Sequence, residues 1–234
     1  MFAQTVGFRC VSSCESTVAR IGLCEHCGRC REVLTPQEYS LPSSFDRFSS
    51  IHLLDSEFFS PPGHNPKGHA IGSIEIRSSK YSARLAEDLP EDPPYDVGPE
   101  SLLVAYSAAG DVCTLSAAGY QWPTNFIDPC VEAKLQGNST GPDRGLPKLV
   151  EACAKFGIRH GTESKTKDKL AALYGKTEIL SDEQKKEMLR YMKTDVEALA
   201  QLLSKLAPHI DRRGVAARKV CYGQRVGRAP RDSD

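Results

Sequence analysis

The stretch "IHLLDSEFFS", residues 51–60, sets two carboxylates, Asp55 and Glu57, inside a run otherwise rich in Ile, Leu and Phe. A short apolar run of this kind reads as a buried strand, where an uncompensated charge is costly. Residues two apart in a strand project to the same side, so Asp55 and Glu57 share one face while Leu54 and Ser56 take the other. Two adjacent buried carboxylates repel, and at least one pKa rises unless a cation sits between them. A divalent metal is the economical compensation; a strand end at which both acids reach water is the plainer one.

After this strand a Gly/Pro loop, "SPPGHNPKGH", leads into "AIGSIEIRSS" and "KYSARLAED", which read as neighbouring strands. An acidic, Pro-rich connector, "EDLPEDPPYDVGPE", separates them from "SLLVAYS", a strand running into the helix-like "AAGDVCTLSAAGY". "TNFIDPCVE" is a further strand candidate. From "GLPKLVEACAKFGI" the pattern is helical, through "TKDKLAALYG" to the long "SDEQKKEMLRYMKTDVEALAQLLSKLAPHI", where Ser181 and Gln184 fit an N-terminal capping box. Strands followed by helices predict an α/β or α+β fold.

The 234 residues suffice for one large domain with an appendage. Thirty Lys and Arg balance thirty Asp and Glu, so net charge neither announces nor excludes a nucleic-acid partner. No apolar run approaches membrane-spanning length, and "MFAQTVGFRCVSSC" lacks the charged start and long apolar region of a signal peptide. The expectation is a cytoplasmic protein with no membrane partner. After Ile210 the tail, residues 211–234, recurs in Arg and Lys between Arg212 and Arg231 with no acid between them, a composition expected to be disordered and able to hold phosphates by charge.

Nine cysteines are an odd count, and five crowd into residues 10–30 while Cys113, Cys130, Cys153 and Cys221 are scattered. That is not the spacing of a disulfide framework, and a reducing compartment suits it better. "CVSSC" and "CEHCGRC" offer a structural Zn²⁺ site in which Cys10, Cys14, Cys24 and Cys27 are the ligands and Cys30 or His26 competes for the fourth position. The other reading is a disordered leader with reactive thiols, or a start placed upstream of the true one. Either way, residues 1–47 form a Cys-rich segment ending in the Pro/Ser-rich "LPSSFDRFSS", a natural boundary before a domain at 48–210.

Three further residues change the weight of Asp55 and Glu57. Asp195 follows Tyr191 by four residues in "LRYMKTDVEALAQLL", so phenol and carboxylate share a helix face one turn apart. Asp111 lies just past a strand, in the first turn of a helix, where the macrodipole alone favours an acid. The order D-x-E on an early strand, Asp after a later strand and Y-x-x-x-D on a late helix resembles the DEDD superfamily of 3′–5′ exonucleases, in the branch with a tyrosine. The likeness spans roughly residues 51–206 and is closest to the proofreading domain of phage-like family A DNA polymerases. "LLDSEFF" resembles that family's first motif, "LLVAYSAAGDVCTLSAAGYQWP" its second, "FIDPCVEAK" its next strand, and "LRYMKTDVEALAQLL" its third.

The resemblance implies a ribonuclease-H-like α/β fold: a mixed five-stranded sheet, helices on both sides and acids gathered at one end. It implies that Asp55, Glu57, Asp111 and Asp195 hold two Mg²⁺ or Mn²⁺ ions, with Asp55 the bridge, and that Tyr191 orients the attacking water. Two hard cations roughly 3.5–4 Å apart suit phosphodiester hydrolysis, and carboxylates are the ligands they prefer. Phe58 would pack near the terminal base or sugar, beside Glu57 at the 3′ hydroxyl. The second motif departs from the family at Ser107 and Gly110, where an Asn and an aromatic residue are common. The expected substrate is a single-stranded or frayed 3′ end of DNA, released as nucleoside monophosphates. Family A polymerases continue for hundreds of residues beyond this domain, so the chain reads as a freestanding prokaryotic or phage nuclease, a subunit beside a separately encoded DNA polymerase, or a truncated gene. The competing readings are a non-catalytic nucleic-acid- or polymerase-binding module on a decayed exonuclease fold, and an RNA-trimming exonuclease.

Overall fold

The structure is a computed structural model that describes residues 30–33 (backbone), 39–59, 67–121, 123–136, 147–161 and 164–210. Its centre is β2 (Ser50–Phe59), the strand built from the opening stretch. On one edge β2 pairs antiparallel with β3 (Lys67–Glu75), which pairs antiparallel with β4 (Lys80–Leu85). On the other it pairs in parallel with β5 (Ser101–Ala105), and β5 with the two-residue β6 (Phe126–Ile127). These are the five strands of the expected mixed sheet.

A sixth strand, β1 (Cys30–Val33), joins antiparallel to β4, giving the order β1-β4-β3-β2-β5-β6. The Cys-rich segment thus contributes an edge strand, and Phe45 and Phe48 bury in one cluster with Ile51 and Leu53. The expected boundary at residue 47 therefore falls inside packed structure: Phe45 before it and Phe48 after it have one apolar surface to cover. Cys10, Cys14, Cys24, Cys27 and His26 lie outside the described residues, as does the basic tail.

Alternation along β2 sorts the helices. Ile51 and Leu53 pack against Leu199 and Leu203 of the 25-residue helix α5 (Asp182–Leu206). Leu54, one residue out of phase, joins Leu103 and Ala105 against Val112 and Leu115 of α1 (Ala109–Ala117). Tyr95, inside the acidic connector, is 5% exposed in this second cluster, so that segment is anchored to the core. The outer side of α5 is covered by α2 (Pro129–Gln136) and α3 (Leu149–Lys155), through Ala133, Leu149 and Ala152 against Ala198, Leu202 and Leu206. Helix α4 (Ser164–Tyr174) packs Leu170 and Tyr174 against Met188 and Met192. Helices therefore flank both faces of the sheet.

Two local signals work as read and one does not. Ser181 Oγ accepts from Gln184 N at 3.3 Å while Ser181 N donates to Gln184 Oε1 at 2.8 Å, the capping box that starts α5. The β3–β4 hairpin also forms as expected, with Ser79 at φ 51° in its turn. "TNFIDPCVE", however, is a strand only at Phe126 and Ile127: Asp128 accepts from Cys130 N at 2.9 Å, and Pro129 opens α2. Asp followed by Pro is a helix start, since Pro gives up an N–H that the first turn leaves unpaired.

Candidate active site

β5 follows β2 only as far as the pair Leu54–Ala105. Beyond it the chain leaves the sheet, and the end of β2 loses its partner on that side. Ser56 N, in that freed edge, donates to Asp111 Oδ1 at 2.8 Å, and Ser56 Oγ donates to the same oxygen at 2.7 Å. Asp111 is thus held beside the residue that separates Asp55 from Glu57. It is 7% exposed, and burial raises its carboxyl to about 7 against the pull of the two serine bonds.

The turn that delivers Asp111 is itself held. Ser107 has φ 54°, a left-handed conformation uncommon outside glycine. Asp128 accepts from Ser107 N at 2.9 Å and from Ala108 N at 3.2 Å, so one carboxylate fixes both this turn and the start of α2. Ser107 stays exposed at its apex. Strain secured this way is common where chemistry is staged.

Across the sheet, Asp55 and Glu57 continue the face of Ile51 and Leu53 toward α5. The Tyr191 phenol on α5 lies within the fields of Asp195, Asp55 and Glu57 and shares a hydrogen bond with Asp195. Burial is the largest cause, the three carboxylates the next, of a pKa driven far above that of an ordinary tyrosine. Tyr191 is 5% and Asp195 3% exposed. Tyr174 of α4, wholly buried, stands with its ring 6.3 Å from that of Tyr191, and its own phenol is raised by burial, Glu187 and Glu57.

A bulge in the β2–β3 ladder falls between Glu57 and Phe58, re-aiming the strand end. Phe58 turns toward α1, where its ring lies against Gly110 so closely that a Cβ at that position would overlap it. A side chain at position 110 would therefore have to push the half-buried Phe58 ring aside.

The structure thus brings Asp55, Glu57, Tyr191 and Asp195 together on the α5 side, and Asp111, Ser107 and Phe58 on the α1 side of the same strand end. Three residues escaped the sequence reading: Asp128, Tyr174 and His160. His160 Nε2 is 3.0 Å from Asp195 Oδ1, and both side chains are almost fully enclosed, 2% and 4% exposed. The Asp-Pro start signal could have found Asp128; nothing in local spacing points to Tyr174 or His160, whose neighbours are distant in the chain.

The oxygen donors are of the kind that Mg²⁺ or Mn²⁺ prefers, and the crowding of acids around a buried phenol favours a bound cation. Among the described residues no three His, Cys, Asp or Glu side chains stand close enough to hold a metal ion as arranged, so binding would have to draw the carboxylates inward. Among the same residues no helix is long and apolar enough to cross a membrane.

No protein-family model and no curated protein matches the chain. Solved structures do. One described as "apo form of the nuclease" is similar with a TM-score of 0.51 at 16% identity, over 77% of this chain and 83% of that one. Escherichia coli RNase D, described as an exoribonuclease involved in structured RNA processing, is similar with a TM-score of 0.50 at 15% identity, over 78% of this chain. The chain spans 46% of the RNase D chain, just under half of its length. At these identities the likeness is one of architecture, and the chain has the fold of these nucleases: a mixed, ribonuclease-H-like sheet flanked by helices.

Proposed function

We propose that the chain is a metal-dependent 3′–5′ exonuclease acting on the 3′ end of DNA, of the proofreading kind. The observation that carries this reading is the meeting of Tyr191 with Asp55, Glu57 and Asp195, which brings together residues far apart in the chain. Two divalent cations held by Asp55, Glu57, Asp111 and Asp195 would lower the pKa of an attacking water and stabilise the leaving 3′ oxygen.

The chain's own groups divide the remaining work. Tyr191 stays protonated near neutral pH, so it orients water through its hydroxyl rather than abstracting a proton as phenolate. Glu57 meets the terminal 3′ hydroxyl, and Phe58, wedged on Gly110, packs against the terminal base or sugar. Ser107, exposed on its strained turn, would contact the substrate. Ser56 holds Asp111 in register with the other acids.

The test uses 5′-labelled single-stranded DNA and RNA of one sequence, with Mn²⁺ or Mg²⁺, comparing wild type with Asp55→Ala and Asp195→Ala. Stepwise shortening of DNA, lost in both variants by on the order of 10³-fold or more, is expected. Shortening of RNA alone would reassign the substrate. Intact substrate with retained binding would favour a binding module on this fold.

A further inference from the structure

Helix α3 stops at a glycine. Gly157 has φ 71°, its N–H donates to Ala154 O at 3.1 Å, and Ile158 N donates to Cys153 O at 2.8 Å, which is a Schellman stop. Ile158 then buries among Ala198, Leu202 and Leu206 of α5. Three residues on, Gly161 lies so close to α5 that a Cβ would stand 2.8 Å from the Thr194 methyl. Between these two anchors His160 is delivered to Asp195, 3.0 Å from Oδ1, with only 2% of its side chain exposed.

A carboxylate on a helix has two rotatable bonds, and its orientation is fixed only by what it touches. Here one side is met by the Tyr191 hydroxyl and another by an imidazole whose backbone is pinned on both flanks. Resting on the two-metal reading of this site, we propose that His160 is a positioning residue for Asp195. Its Nε2 stands 3.0 Å from Oδ1 and donates to that oxygen once a bound cation turns the carboxylate, which holds Asp195 facing Asp55 and Glu57. Partners of this outer kind set ligand basicity and direction, and their loss costs 10–100-fold in metal affinity or activity, by rough precedent.

The experiment follows Mn²⁺ binding through the rise in Tm on titration, which needs no catalysis, in wild type, His160→Leu and His160→Gln. Leu fills the space without a donor, whereas the Gln amide can place an N–H near the Nε2 position. The Mn²⁺ concentration at half-maximal rise should increase about 10–100-fold in His160→Leu and return toward wild type in His160→Gln. The rate of His160→Leu should recover at saturating Mn²⁺; a merely structural role would lower Tm at every Mn²⁺ concentration and leave the midpoint in place. Should His160→Leu not fold, side-chain ¹H–¹⁵N spectra of the wild type decide: saturating Mg²⁺ should shift the His160 Nε2–H resonance. An unmoved midpoint, a resonance indifferent to Mg²⁺, or a wild type that binds no Mn²⁺ overturns the proposal. If Mn²⁺ binding depends on His160 and no oligonucleotide is shortened, the exonuclease reading fails and the role of His160 stands. Shortening with an unmoved midpoint means the reverse.

Discussion

At the end of β2, alternate side chains enter two unlike neighbourhoods. Asp55 and Glu57 look toward α5, where they meet a phenol, a third carboxylate and, through it, an imidazole. Ser56 and Phe58 look toward α1, where each finds a single complement: the serine binds Asp111, and the phenyl ring rests on Gly110. On the first side polar groups are crowded beyond what packing needs; on the second they are matched one to one. One strand end can thus serve the site from both of its faces, because its period of two gives each face its own neighbours.

The contrast can be broken by exchange. Tyr191→Phe removes one hydroxyl from the crowded side and nothing from the core, so the exonuclease rate should fall by about 10²-fold or more with Tm little changed. A large loss of Tm with rate retained would mean that the tyrosine belongs to the scaffold. On the matched side the largest effect is on pH dependence. The Asp111 carboxyl is raised in the fold from 3.8 to about 7, so its contribution favours the folded state below the unfolded pKa and is lost as pH rises through about 7. In chelator, wild type should lose on the order of 2–4 kcal/mol relative to Asp111→Asn between about pH 4 and pH 8, read from denaturant unfolding. Parallel pH curves for the two proteins would place Asp111 in a more solvated setting.

Smaller changes sharpen the picture further. Gly110→Ala should destabilise by about 1–3 kcal/mol through overlap with the Phe58 ring, and Phe58→Leu in the same chain should recover part of it. Equal costs in both backgrounds would separate the two residues. Ser56→Ala keeps the backbone bond to Asp111 and loses the hydroxyl bond, so about 1 kcal/mol is expected, with a modest effect on rate.

Much of the frame was legible in the sequence because it rests on local pattern. The apolar run around Asp55 gave β2, the capping box gave the start of α5, and Y-x-x-x-D gave the shared face of Tyr191 and Asp195. What stayed hidden depends on partners far along the chain. Residues 30–33 show no strand alternation of their own and become a strand by pairing with β4. Asp128 was read inside a strand because Phe126 and Ile127 precede it; its work is to fasten the Ser107 turn, twenty-one residues earlier. His160 reaches Asp195 only through the way α3 stops, and the Gly-Ile pair that stops it says nothing about the destination of the next side chain.

The long reach from β2 to α5 has a consequence for synthesis. Asp55 and Glu57 are made early, and Tyr191 and Asp195 arrive on the last described helix, on the order of ten seconds later at ordinary rates of translation. Until α5 clears the ribosome, the face of β2 that bears the acids lacks the cover that Leu199 and Leu203 give Ile51 and Leu53, and has no Tyr191 phenol beside its carboxylates. Assembly of the fold and assembly of the site are therefore a single late event, and a nascent chain stalled before α5 would hold the acids of β2 without the means to use them.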